Sequence, residues 1–178
     1  ARDFGGVLPF SFDTIIKEKE GRSAEENLKN WLKEEAKSIE QSWESVRGMN
    51  EYGIRIFYDR KRWVEGIRLQ NKNISKKGDG TNYLLKRKLD YEAKDMVINK
   101  IKERRQEIFD KIKAKVKEAK IVESDIKLME EKKAALMNIS VLATEQQFKE
   151  VKQFLQENIS KEDYRCAGPF PPYSFVSK

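Results

Sequence analysis

Acidic pairs, one basic–aromatic cluster and a single thiol are the side chains in this sequence whose types and spacing could do chemistry. Paired carboxylates such as Glu130/Glu131 would suit general acid–base work. They stand, however, among alternating Lys and Glu, the pattern of a solvated helix face. The run Asp59–Trp63 (DRKRW) sets three basic residues between Tyr58 and Trp63. Such a cluster either grips RNA through phosphate contacts and stacking or anchors a protein interface through its tryptophan. Cys166 has only Arg165 beside it to lower its pKa and reads as a small packing residue.

Several chemistries are excluded outright. The chain has no histidine, so it has no His base, no Ser-His-Asp triad and no Cys/His zinc site. One cysteine excludes an internal disulfide framework. The stretch NKNISKKGDGTN (71–82) lacks the Gly-Lys-Ser/Thr of a P-loop and the spaced acidic ligands of an EF-hand. Asn-Ile-Ser occurs at Asn73, Asn138 and Asn158, and the first lies in a probable linker. The other two sit near helix boundaries, where Asn and Ser serve as caps, so local backbone chemistry explains them better than glycosylation. The expectation is no enzyme, with no catalytic, cofactor-binding or metal-binding residue.

Of the 178 residues, 38% are charged and 38% hydrophobic, with 37 basic side chains interleaved among 30 acidic ones. That is lean for a thick core and better suited to long helices with one buried stripe. The net charge of +7 points to acidic partners. No run reaches the ~20 apolar residues of a membrane span. The chain opens at Ala1 rather than Met, which leaves room for a removed targeting segment.

The elements that would position these residues read as follows. Residues 1–22 (ARDFGGVLPFSFD and beyond) form an apolar N-terminal strap. Residues 23–70 are a helical region. It opens on a capping box, Ser23 with Glu26, and carries Leu28, Trp31, Leu32, Ile39, Trp43 and Val46 on one face. Within it, Tyr52, Ile54, Ile56 and Tyr58 alternate like a strand. No other segment reads as a strand partner, so helix or irregular coil is expected there. Residues 71–82 are a polar linker with Gly78 and Gly80. Residues 83–143 are expected to form one long amphipathic helix. Its stripe runs through Val97, Ile101, Ile108, Ile112, Val116, Ala119, Val122, Ile126, Met129 and Leu136. From Tyr83 to Met137 there is no Gly or Pro, and an unbroken helix over that span would be about 80 Å long. Coiled-coil-like packing follows, with an imperfect seam where Arg104, Arg105, Lys132 and Lys133 replace apolar residues. Residues 144–165 form a short helix capped by Thr144 and Gln147. Residues 166–178 (CAGPFPPYSFVSK) are a Pro/aromatic strap. The expected fold class is therefore all-α and extended, with no closed compact core. The expected partner-binding residues are Ile101, Ile108, Ile112, Val116, Ile126 and Met129 on the long helix. Trp63 joins them, with Pro169, Phe170, Pro171, Pro172, Tyr173 and Phe175 on the strap. Deleting Gly168–Lys178 is expected to weaken incorporation into a complex and leave helicity intact.

The order KEAKIVESDIKLMEEKKAAL, LATEQQFKEV, EDYRCAGPFPPYSF resembles the C-terminal half of subunit d of the mitochondrial ATP synthase peripheral stalk. On that resemblance Ile121-Val122-Glu123 lie late in the long helix, Thr144-Glu145 start the short one, and Pro169–Tyr173 form the tail. FSFDTIIKEKEGRSAEENLKNWLKEE echoes the opening helices of the same family. LLKRKLDYEAKD resembles stalk subunit b, and also an accessory subunit of respiratory complex I whose paired cysteines are missing here. The resemblance implies a non-catalytic structural subunit of a mitochondrial assembly, on the matrix side of the inner membrane. It would support proton-driven ATP synthesis, and so ion transport, by holding the catalytic head against rotation. Its partners would be other subunits of the complex, with a membrane surface nearby. The alternatives are an RNA-contacting accessory protein of the mitochondrial ribosome and a complex I accessory subunit.

Overall fold

A computed structural model of the chain describes residues 7–10, 15–19, 21–59, 65, 82–122, 133–160 and 163–176. In chain order the elements are α1 (Ala24–Glu34), α2 (Ala36–Val46), β1 (Asn50–Asp59), α3 (Asn82–Lys113), β2 (Glu118–Ile121), β3 (Lys133–Ala143), α4 (Glu145–Asn158) and β4 (Tyr164–Phe170). The strands form one antiparallel sheet in the order β2-β3-β1-β4. From β1 onward the succession is β-α-β-β-α-β, a split βαβ arrangement in which β3 is inserted between β1 and β2.

This corrects the all-α expectation. The alternation at Tyr52, Ile54 and Ile56 is a strand, because two partners exist that helical periodicity had concealed. One is β3. Its Met137, Ile139, Val141 and Ala143 are buried on the face that carries Tyr52, Ile54 and Ile56 of β1. Leu142 is buried on the opposite face with Ser140, so the alternation of Met137–Val141 ends in an apolar run, Val141-Leu142-Ala143, that blurs it. The other partner is the Pro/aromatic ribbon, whose first half is the edge strand β4. A bulge at Ile56/Phe57 shifts the β1–β3 register and leaves Leu136 opposite no β1 residue.

The long helix is likewise shorter than its periodicity implied. It ends at Lys113 although no Gly or Pro stops it, and residues 118–121 and 133–143 are strands. What stops it is the sheet. The Lys117 amide donates to the Leu142 carbonyl at 3.1 Å, and Glu118–Ile121 then pair with Leu142–Ile139. Pairing carries Ala119 into the core opposite Val141. The stripe residues Ile108 and Ile112 do not form a coiled-coil seam. They pack onto the sheet beside Phe148, Val151 and Leu155 of α4. Arg104 interrupts the stripe because it faces the end of α4: its Nη2 donates to the Asn158 carbonyl at 3.4 Å, near that helix's negative terminus.

Both helix-start signals form as capping boxes. The Ser23 side chain accepts from the Glu26 amide and the Thr144 side chain from the Gln147 amide, each with the reciprocal bond. The one-sided face of α4 presses Phe148 against Tyr52, rings parallel and 3.8 Å between centroids. Helices α3 and α4 thus share one face of the sheet with a single core.

Among the described residues, the other face is covered at one end. There Val46 of α2, Leu142 of β3 and Phe175 close a small cluster with Leu8, Met49 and Val176 around it. The chain after β4 crosses the sheet to reach this point. Glu51, buried on β1, accepts from the Ser174 amide at 2.8 Å and from the Ser174 hydroxyl at 2.6 Å. Lys120 on β2 donates to the Ser174 carbonyl at 2.9 Å and lies over the Phe175 ring. The terminal ribbon therefore packs back on its own chain. Gly168 makes its entry feasible: φ is +117°, and a Cβ there would meet the Glu51 carbonyl oxygen and Tyr52 Cδ1 at 2.9 Å.

Two outcomes follow for equilibrium denaturation. Phe175→Ala should destabilise the fold by about 3 kcal/mol, the low end for a buried aromatic because its cluster is small. Gly168→Ala should cost about 2 kcal/mol through strain and collision with Glu51, whereas the same change in a flexible tail would register nothing.

Candidate functional site

The sheet face opposite α3 and α4 is covered at one end by Val46 of α2 and by the terminal strap. Strand alternation decides what stands on it. With Tyr52, Ile54 and Ile56 turned into the core, Glu51, Gly53, Arg55 and Phe57 of β1 face the other way. From β3 come Asn138, Ser140 and Leu142, from β2 Glu118 and Lys120, and from β4 Arg165 and Ala167. Register then sorts these side chains into rows across the strands. Glu51 and Leu142 lie under the terminal strap. Lys120, Ser140, Gly53 and Ala167 form the next row, and Asn138, Arg55 and Arg165 the one after.

The last of these rows carries the charge. Arg55 and Arg165 are directly opposite each other on neighbouring strands, and both are exposed. Arg55 Nε donates to Asn138 Oδ1 at 3.0 Å, and the Arg165 guanidinium lies over the Phe57 ring, 5.5 Å from its centroid. Among the described residues neither has a carboxylate within ion-pair distance, although Lys29, Arg47, Arg104, Lys111, Lys120 and Lys149 all do. Opposed like charges cost stability in a sheet, so the fold itself gains nothing from this pair.

A second concavity, a groove of about 1050 Å³, lies between α4 and the start of the ribbon. Tyr52 and Phe148 line it with Pro169–Pro172, and Lys149 and Lys152 stand at its side. Lys149 is paired to Glu145 at 2.9 Å, and Lys152 sits over the Phe148 ring. Across β4, the Cys166 side chain remains exposed, yet enough protein surrounds it that lost hydration pushes its thiol pKa up, with nearby Lys152 opposing. Among the described residues no cluster of three or more His, Cys, Asp or Glu could hold a metal.

The expected partner-binding residues are scattered. Ile108 and Ile112 are buried in this chain's own core, and Ile101 and Val116 pack at its margin. Pro169, Phe170 and Pro171 line the groove and stay exposed, Tyr173 is 62% exposed, and Pro172 and Phe175 are buried. Trp63, Ile126 and Met129 lie outside the described residues, as do the basic residues of DRKRW and Glu130/Glu131. Gly53, Arg55, Phe57 and Arg165 were not singled out from sequence. The signal that could have found them is the alternation of β1 itself, since every residue between its buried positions must face away.

Comparison with known proteins places this geometry. The sequence model of the family described as gas vesicle synthesis protein GvpL/GvpF matches residues 1–177. No curated protein sequence matches significantly. Among solved structures, the chain is similar to the gas vesicle protein GvpF from Anabaena sp. PCC7120. The TM-score is 0.63 at 15% identity, covering 99% of this chain and 72% of that one. GvpF from Microcystis aeruginosa gives a TM-score of 0.61 at 15% identity, covering 96% and 70%. These two likenesses show a shared fold. The match over 1–177 shows the family, and the chain belongs to GvpL/GvpF.

The peripheral-stalk resemblance is thereby overturned, with its mitochondrial localisation, complex subunits as partners, ion transport and coiled coil. The ribosomal and complex I alternatives fall with it. The similarity rested on Lys/Glu-rich stretches and the order of a few short segments. In the fold Ile121 closes β2, and Thr144 caps α4 directly after a strand.

The raised thiol predicts slow alkylation of Cys166 by iodoacetamide near neutral pH. The rate should climb with a midpoint above that of an ordinary cysteine, read by mass spectrometry across a pH series.

Proposed function

We propose that this chain, a member of the gas vesicle synthesis family GvpL/GvpF, serves gas vesicle synthesis as a non-catalytic, protein-binding component. The observation that carries the reading is the pair Arg55 and Arg165, exposed on the sheet face beyond the terminal strap and unpaired among the described residues. The absence of histidine from the sequence is in keeping with a binding role. So is the apolar side of α1, where Leu28, Trp31 and Leu32 stay between 36% and 41% exposed and no residue of the helix is buried.

Graded expression tests the reading. In a gas-vesicle-forming host deleted for this chain, vesicles counted by electron microscopy should be lost. They should return in proportion to the amount of chain supplied. Full vesicle number without the chain would remove it from synthesis. Full number at a small fraction of the normal chain level would indicate a turnover catalyst instead.

A further inference from the structure

Gly53 adjoins a register shift between β1 and β4, where Glu51 pairs with Phe170 and Gly53 with Ala167. The φ of Gly53 is not positive, and among the described residues nothing lies within 4 Å of a Cβ built on it. It stands in mid-strand, between the buried Tyr52 and Ile54, where glycine weakens a sheet and a β-branched residue would strengthen it. Its register partners are Ser140 and Ala167, so three adjacent strands present almost no side-chain height at this level. The result is a trough across the strands, walled on one side by the strap at Ser174–Phe175 and on the other by Arg55 and Arg165. Four residues of β1 separate its walls at Glu51 and Arg55, about 13 Å at strand rise. That is a backbone-to-backbone spacing, and less the half-widths of its two walls it admits an extended segment.

We infer that this trough is the docking site for an acidic segment of a partner protein. The partner's backbone lies close over Gly53 and Ala167, and a carboxylate is held between the two guanidiniums. The inference rests on the protein-binding reading above and gives it a location and a partner chemistry. Three features fix that chemistry. Arg165 lies over Phe57 and Arg55 is oriented by Asn138, so both forks are steered toward planar, two-oxygen acceptors. A bound carboxylate removes the repulsion between the opposed arginines, which nothing within the described fold relieves. The positive charge is also local. Glu118 is paired with Lys120 on the same face, Glu51 lies under the strap, and Asp59 follows two residues beyond Phe57 on β1. A phosphodiester backbone needs a continuous basic track, which these carboxylates interrupt.

The test is a titration of the full chain, followed by amide chemical shifts and calorimetry, with a synthetic peptide of alternating glutamate and alanine. Its glutamine counterpart, inorganic phosphate and a short RNA are the comparisons. Saturable binding of the glutamate peptide is expected, with shifts centred on Gly53, Arg55, Arg165 and Ala167. Arg55→Gln with Arg165→Gln should weaken it roughly 10- to 100-fold, the range for hydrogen bonds to charged groups. The melting temperature should hold or rise, since the repulsion is gone. Gly53→Val, with both arginines intact, should also lose the peptide while keeping or raising the melting temperature. Undiminished binding in either variant, shifts centred elsewhere, no binding at all, or tighter binding of RNA or phosphate than of the peptide would each overturn the proposal. Those outcomes are separate from the vesicle count, so the site can fail while the role in synthesis stands.

Discussion

Everything in this fold depends on the pairing of β1 with β3. These strands are far apart in sequence, and the side-chain bond from Arg55 to Asn138 alone spans 83 residues. Closing so large a loop costs chain entropy, though the cost grows only logarithmically with length. It is offset where Ile54 meets Ile139 and Tyr52 meets Val141, each nearly fully buried. Once that pair is formed, β3 offers its free edge to β2 and β1 offers its own to β4. The same pairing creates the apolar surface onto which Ile108, Ile112, Phe148, Val151 and Leu155 settle. Without it α3 and α4 have nothing to cover.

A single sheet with α3 and α4 on one side leaves its second face to be managed. Here that is done economically. The chain leaves β4, crosses the strands once and ties Ser174 to the buried Glu51, while Phe175 fills the gap over Leu142. Desolvating a carboxylate is costly unless its oxygens are satisfied, and both are. The strap secures one end of the face, and among the described residues Arg55, Arg165 and Ala167 stay exposed beyond it. That division sets the larger core under α3 and α4 and a smaller one, tied by the strap, on the other face.

The resemblance to stalk subunits failed for an instructive reason. Lys and Glu at helical spacing describe how a surface meets water, and many unrelated helices share that solution. In this chain Ile101, Ile108 and Ile112 do mark a buried stripe, but the stripe faces a sheet. Apolar periodicity specifies which side of a helix is dry. It is silent on what dries it.

The sequence by itself determined the local features. Both capping boxes, the apolar faces of α1 and α4 and the stripe along α3 rest on side chains three or four residues apart, whose chemistry needs no distant partner. The alternation of β1 was visible as well, yet it could not be resolved because a strand is stable only with a partner. Tertiary structure decided the rest. It ended α3 at Lys113 without a helix breaker, turned 133–143 from an apparent helix into a strand buried on both faces, and made the ribbon an edge strand and a strap. It also set Arg55 beside Arg165 and opened the space over Gly53. Those juxtapositions are properties of register between remote segments, and register is fixed by what the sheet can bury.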